Sequence, residues 1–197
     1  MIDSVKDAPE GSTTETDFLA IPEGERFHEL IGGHVVCKAT PSAEHGDAQA
    51  GVVSPVRTRY HGPPRDGGGG WWIATEVEVR LDGGDVVRPD VLGWRRTTCP
   101  KRPTGTPVDI RPDWICEVIS PSRPNDDTVK KLRLYHAARV PHYWLVDPRD
   151  STLTVMRWGE AGYVMVLRAE RGEVVTPEPF EEILLHVGSL FGEDPPA

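Results

Sequence analysis

Asp90, Glu117 and Lys131 are charged residues at positions where their neighbours call for apolar side chains. Pro112-Asp113-Trp114-Ile115-Cys116-Glu117-Val118-Ile119 reads as a strand of period 2. Trp114, Cys116 and Val118 point one way, and Asp113, Ile115, Glu117 and Ile119 the other. Glu117 then lies between two isoleucines, where a desolvated carboxylate needs a cation, a proton or a donor. A structural salt bridge at a strand end would meet the same need. Arg88-Pro89-Asp90-Val91-Leu92-Gly93-Trp94 opens a second strand. Proline is tolerated at its start, and Asp90 shares a face with Leu92 and Trp94. The local alternative for Asp90 is an Asx-type turn after proline.

Residues 125–139 read as a helix. Asn125 is its N-cap, Asp126 and Asp127 suit the positive end of the dipole, and Val140-Pro141 stops it. Leu132, Leu134, Tyr135 and Ala138 share a broad face with Lys131 in its middle, while Lys130, Arg133 and His136 lie on the solvated side. A lysine on such a stripe commonly snorkels to water. Two acids and an ammonium are also what a divalent-metal phosphodiester hydrolase uses. The acids hold Mg2+ (or Mn2+) through oxygen, the metal polarises phosphate and acidifies water, and the lysine orients that water or offsets transition-state charge. Coincidence accounts for each residue singly, and much less easily for the set.

The rest of the chain must bring these three together. Arg26–Ile31, Gly32-Gly33 and His34–Ala39 read as a hairpin around a two-glycine turn, which makes Glu29 a third acid to consider. Ser42 caps an expected helix running to about Tyr60, with His45 near its start; Gly46, Gly51 and Pro55 count against it. Residues 71–81 alternate as one strand, with Val77, Val79 and Leu81 packing and Glu76, Glu78 and Arg80 facing water. Residues 95–111 form a long irregular loop, and its run Arg95-Arg96-Thr97-Thr98-Cys99-Pro100-Lys101-Arg102 is the best candidate for a basic patch. Such a run is more commonly a solvated loop. His142–Pro148 is a buried strand; 152–158 and 163–167 form a meander; 180–190 closes the chain as a strand or a short helix. Strand, helix and strand from 113 to 146 make a crossover unit, so an α/β (α+β) mixed sheet with flanking antiparallel hairpins is expected.

A chain of 197 residues is one domain in size. Residues 1–16 have little to bury and read as a disordered arm, 17–191 as the domain, and 192–197 as a frayed tail. Cys37, Cys99 and Cys116 lack metal-ligand spacing, and their odd number argues against a disulfide framework. The glycine run ending at Gly70 has no lysine and Ser/Thr of a phosphate loop, so no nucleotide cofactor is expected. No apolar run approaches membrane-spanning length, and a cytoplasmic protein is expected. The formal net charge of -9 opposes a polyanionic substrate, since proteins that bind DNA unaided are usually basic.

Arg88-Pro89-Asp90, the 112–122 stretch, Lys131-Leu132-Arg133-Leu134-Tyr135 and Val140–Pro148 together resemble the Uma2 family, restriction-endonuclease-like proteins of the PD-(D/E)XK nuclease superfamily. Glu29-Leu30-Ile31-Gly32-Gly33 and Pro41-Ser42 with His45 extend the resemblance, over about residues 18–190. It implies a restriction endonuclease-like core, self-association (a homodimer), a DNA substrate and a metal held by Asp90 and Glu117. The superfamily lysine expected two residues after Glu117 is replaced by Ile119; the family's pattern draws it from the next helix, where Lys131 stands. The resulting expectation is a Mg2+-dependent DNA endonuclease. Asp90, Glu117 and Lys131 are catalytic, Glu29 and His45 are their neighbours, and Lys130, Arg133, Arg95 and Arg96 touch nucleic acid. The rival expectations are a non-cleaving module for self-association or protein binding, and a metal-dependent hydrolase of a smaller phosphate ester.

Overall fold

The computed structural model describes residues 12–120 and 126–194. Residues 1–11 of the expected arm, the Asn125 cap and residues 195–197 of the expected tail lie outside them. The last residues of the expected arm take up structure: Thr13 N–H donates to Gly33 O, and Thr14 caps helix α1 (Glu15–Leu19), which buries Phe18. The hairpin follows as β1 (His28–Ile31) and β2 (His34–Cys37), turned by Gly32 and Gly33 at φ 59° and 77°. Two positive φ values in succession are what a tight hairpin turn of the right twist requires, and glycine supplies them without strain.

Helix α2 (Ala43–Tyr60) starts where Ser42 Oγ accepts the His45 N–H. It runs through Pro55, because His45, Ala48, Val52, Val56 and Tyr60 form a continuous buried stripe. That burial outweighs the hydrogen bond lost at the proline.

Strand β3 (Trp71–Thr75) stops earlier than its alternation suggests. Glu76 takes φ 55°, a left-handed conformation uncommon for glutamate, and the chain crosses to another sheet as β4 (Val79–Arg80). The expectation that 71–81 is one strand with Glu78 facing water is therefore corrected. Glu78 is buried, with Arg26 Nε 3.0 Å from its Oε1, Arg26 Nη2 2.8 Å from its Oε2 and Arg88 Nη2 2.8 Å from its Oε1. Alternation alone cannot distinguish a wet glutamate from one answered by two distant guanidinium groups.

β5 (Val86–Val87) completes a four-stranded sheet ordered β2-β1-β5-β4. The larger sheet adds β6 (Val91–Arg95), β7 (Trp114–Val118), β8 (His142–Asp147), β9 (Thr152–Arg157) and β10 (Val164–Glu170), in the order β10-β9-β8-β7-β6-β3. β7 and β8 are parallel and the other neighbours antiparallel. The parallel pair is joined by a π-helical turn (Asp126–Lys131) that runs into helix α3 (Leu132–Ala137). β11 (Val174–Val175) pairs with β12 (Leu185–His186), and a 3-10 turn (Val187–Phe191) follows, so the closing segment is both strand and helical turn.

The large sheet is packed on both faces. Trp114, Cys116 and Val118 join α2 and the closing segment in one core; Ile115 joins Leu92, Trp94, Tyr135 and Tyr143 in the other. The alternation of the Glu117 strand is thus as expected. Gly93, in the middle of β6, is required by close approach: a Cβ there would stand 2.9 Å from Ile73 Cδ1 and 3.2 Å from the Trp71 ring. Phe180 plugs the first core, its ring 4.7 Å from Trp114, 4.8 Å from Tyr60 and 5.0 Å from Trp71, centroid to centroid.

Truncating that ring is predicted to cost about 3–5 kcal/mol; Phe180→Ala in urea unfolding checks it, and a loss under 1 kcal/mol would contradict this packing. At the start of β8, burial first and then Arg95 and Arg157 push the His142 pKa down from 6.5 to about 4, with Glu178 4.0 Å away on its other side. Between those pH values the unfolded chain takes up a proton at this site that the folded chain refuses, so acidification favours unfolding. Stability is predicted to fall as pH drops from about 6.5 to about 4, and His142→Gln to flatten the His142 share of that loss; denaturation midpoints across this range provide the check.

Candidate active site

Antiparallel β6 and β7 pair Val91 with Cys116, and one further step in that register sets Asp90 opposite Glu117. Residues so opposed have Cβ atoms about 4.5–5.5 Å apart. The link is direct. Val118 N–H donates to Asp90 Oδ2 at 2.8 Å, and Asp90 N–H points at Glu117 Oε2 at 3.4 Å. Both side chains are almost wholly buried, at 2% and 1% exposure.

Lys131, the last residue of the π-helical turn, reaches this place from the next element. Its Nζ lies 3.1 Å from Glu117 Oε1 and 3.1 Å from Glu29 Oε2. The ammonium does not snorkel; it is 4% exposed, because two carboxylates answer it inside. Glu29 is buried on β1, and its Oε1 accepts the Arg88 N–H at 2.8 Å, which ties the hairpin to the residue two before Asp90. His45, from the first turn of α2, places Nε2 3.4 Å from Asp90 Oδ2. All five expected site residues therefore line one cavity of about 50 Å³, together with Lys38, Ser42 and Ser120.

Several participants were not expected. Tyr135 O–H donates to Glu117 Oε1 at 2.5 Å. Burial, and then the Glu117 charge, drive the Tyr135 pKa well above its ordinary value, so the phenol stays a donor. Gln49 Nε2 donates to Asp90 O at 2.7 Å. Lys38 Nζ lies 3.0 Å from Asp90 Oδ1 and donates to Arg88 O at 2.7 Å. Lys38 carried no separate signal in the sequence, since Val36, Cys37 and Ala39 beside it line the same cavity.

Burial works to raise the Asp90 pKa, but the His45 hydrogen bond and the Lys38 and Lys131 charges overrule it and hold the carboxyl well below its ordinary range. Asp90 is thus ionised without a metal ion. The donor set fits a hard divalent cation, which accepts one or two carboxylates and keeps several waters. Asp90 Oδ1 is buried and has no aligned hydrogen bond, so it presents lone pairs to the cavity. Among the described residues no group of three or more His, Cys, Asp and Glu has the arrangement of a self-sufficient metal cage. That absence does not bear on Mg2+ or Mn2+ ligation by two acids.

Of the expected nucleic-acid contacts, Lys130 and Arg133 are exposed on the outer side of the helix that carries Lys131. Arg95 and Arg96 are not at the site. They stand at the other end of β6 from Asp90, about 17 Å along an extended strand. There they are stacked 4.5 Å over Trp71 and 3.5 Å over Trp72.

The Uma2 family, described as "Putative restriction endonuclease", matches residues 16–188. Among curated proteins none matches the chain. A solved structure described as "a putative nuclease belonging to DUF820 from Anabaena variabilis" superposes with a TM-score of 0.74, covering 90% of this chain and 97% of that one at 24% identity. That likeness shows that the two chains share a fold. Among the described residues no helix is long and apolar enough to cross a membrane.

The Tyr135 hydroxyl is predicted to stabilise the fold by satisfying a buried charge. Tyr135→Phe should cost about 1–3 kcal/mol in chemical denaturation. A neutral outcome would mean that Glu117 finds another donor.

Proposed function

This chain belongs to the Uma2 family, and from that membership and the convergence of Asp90, Glu117 and Lys131 we propose that it is a divalent-metal-dependent endonuclease hydrolysing phosphodiester bonds in DNA. The observation that carries the reading is the pair of acids opposed across β6 and β7 with an ammonium already on one of them. Asp90 and Glu117 would hold the ion, with water or phosphate oxygen completing its shell. Bound there, Mg2+ or Mn2+ supplies Lewis-acid polarisation of the phosphate and a more acidic water.

The chain's own residues do the rest. His45 and the Val118 N–H fix the Asp90 carboxylate, and the Tyr135 hydroxyl fixes that of Glu117, so neither must reorient when substrate arrives. Lys131 lies between two acids and is placed to orient water or to offset charge on the phosphate. Glu29 positions Lys131 and is not in contact with substrate in this reading. Lys130 and Arg133 face outward, where a strand backbone would pass. Salt would weaken the phosphate contacts of these two cations, while the formal net charge of -9 opposes DNA elsewhere on the surface. Self-association remains part of the proposal, since the family resemblance implies it.

Supercoiled plasmid with Mg2+ or Mn2+, set beside small phosphodiesters, tests the substrate class. Asp90→Asn, Glu117→Gln and Lys131→Met should each lower nicking about 100-fold or more. Nicking that survives all three substitutions, or no hydrolysis of DNA under either ion, overturns the proposal.

A further inference from the structure

Lys38 is a cation at the active-site acids that the chemistry above does not use. It follows β2, and its ammonium faces two acids at once, Asp90 Oδ1 at 3.0 Å and Glu76 Oε2 at 2.5 Å. The two are unlike. Asp90 is buried in the cavity, whereas the Glu76 side chain is 42% exposed at the rim. Glu76 is fixed there by its left-handed backbone and by Gln49, whose Nε2 donates to Oε1 at 3.3 Å.

Asp90 Oδ2 is occupied by the Val118 N–H and faces His45, so Oδ1 is the oxygen left for a metal ion. Lys38 lies against that oxygen without the alignment of a hydrogen bond, held by charge. A divalent ion bonds a carboxylate oxygen at about 2.0–2.2 Å for Mg2+. An ammonium nitrogen 3.0 Å from the same oxygen would then crowd and repel it.

We propose that Lys38 is a displaceable counter-cation, whose ammonium occupies the metal side of Asp90 and withdraws to Glu76 and the Arg88 carbonyl when a divalent ion is seated. Three observations support it: the buried acid on one side, the exposed acid on the other, and the Arg88 carbonyl, already 2.7 Å away, as an anchor common to both positions. The ammonium offsets the Asp90 charge in the ion-free protein and lowers the apparent affinity of the ion that must displace it. The inference rests on the metal-binding reading of Asp90 and Glu117.

Calorimetric titration of Mn2+ into the full chain tests it, without any activity readout, on wild type, Lys38→Met, Lys38→Gln and Asp90→Asn. Lys38→Met should bind Mn2+ about tenfold or more tightly than wild type. Its melting temperature should start lower and rise further with saturating Mn2+, since the ion replaces a missing charge. If Lys38→Met does not fold, Lys38→Gln carries the same expectation while keeping a donor for Arg88 O. Wild-type binding that Asp90→Asn abolishes, and that is as tight as or tighter than binding by the Lys38 variants, overturns the counter-cation role and leaves the metal site standing. Folded wild type and Lys38 variants that all fail to bind Mn2+ overturn both.

Discussion

One ammonium group holds the candidate site in register. Lys131 Nζ sits between Glu29 and Glu117 where almost no water reaches, and each carboxylate comes from a different element. In such surroundings an unpaired charge costs several kcal/mol, so removing any one partner leaves the others uncompensated. The hairpin, the central strand and the crossover helix are therefore fastened at a common point. The fastening extends to Asp90 through Arg88, whose N–H is held by Glu29 and whose guanidinium is held by buried Glu78.

The large sheet supplies the other half of the geometry. Antiparallel pairing sets Asp90 against Glu117 with a precision that loops do not give, and the parallel β7–β8 pair forces the crossover that brings Lys131 over the end of β7. Gly93 lets Trp71, Ile73 and Trp114 close across β6, so the strand carrying Asp90 is clamped a few residues from the acid. Packing and electrostatics act here on the same strand ends.

Much of this was legible in sequence wherever a period was present. The two-residue repeat around Glu117 and the helical stripe around Lys131 identified charged residues on apolar faces, and both faces are buried as read. Pro55 looked like a break in α2, but the stripe from His45 to Tyr60 carried the helix through it. What stayed hidden depended on partners far away in the chain. Glu78 alternates like a solvated residue and is answered by Arg26, fifty-two positions earlier. The turn at Glu76 leaves no mark in hydropathy, because its cause is the crossing between two sheets. Lys38 looks like the polar end of a hairpin until Asp90 is placed beside it. Arg95 and Arg96, read in sequence as part of a basic run, stand over Trp71 and Trp72 at the far end of β6 from Asp90.

The π-helical turn that ends at Lys131 has a consequence for how this region can vary. Such turns accommodate one residue more than an α-helix of the same height. Losing a single residue from it would let the segment close as an ordinary α-helical turn of the same height, with the side chains that follow keeping their direction. A further residue inserted into a turn already one residue longer would have no such outlet, and would swing the amine by about 100° away from the acids. In this segment length is under tighter geometric control than composition, and a one-residue insertion would be more damaging than most exchanges of residue type.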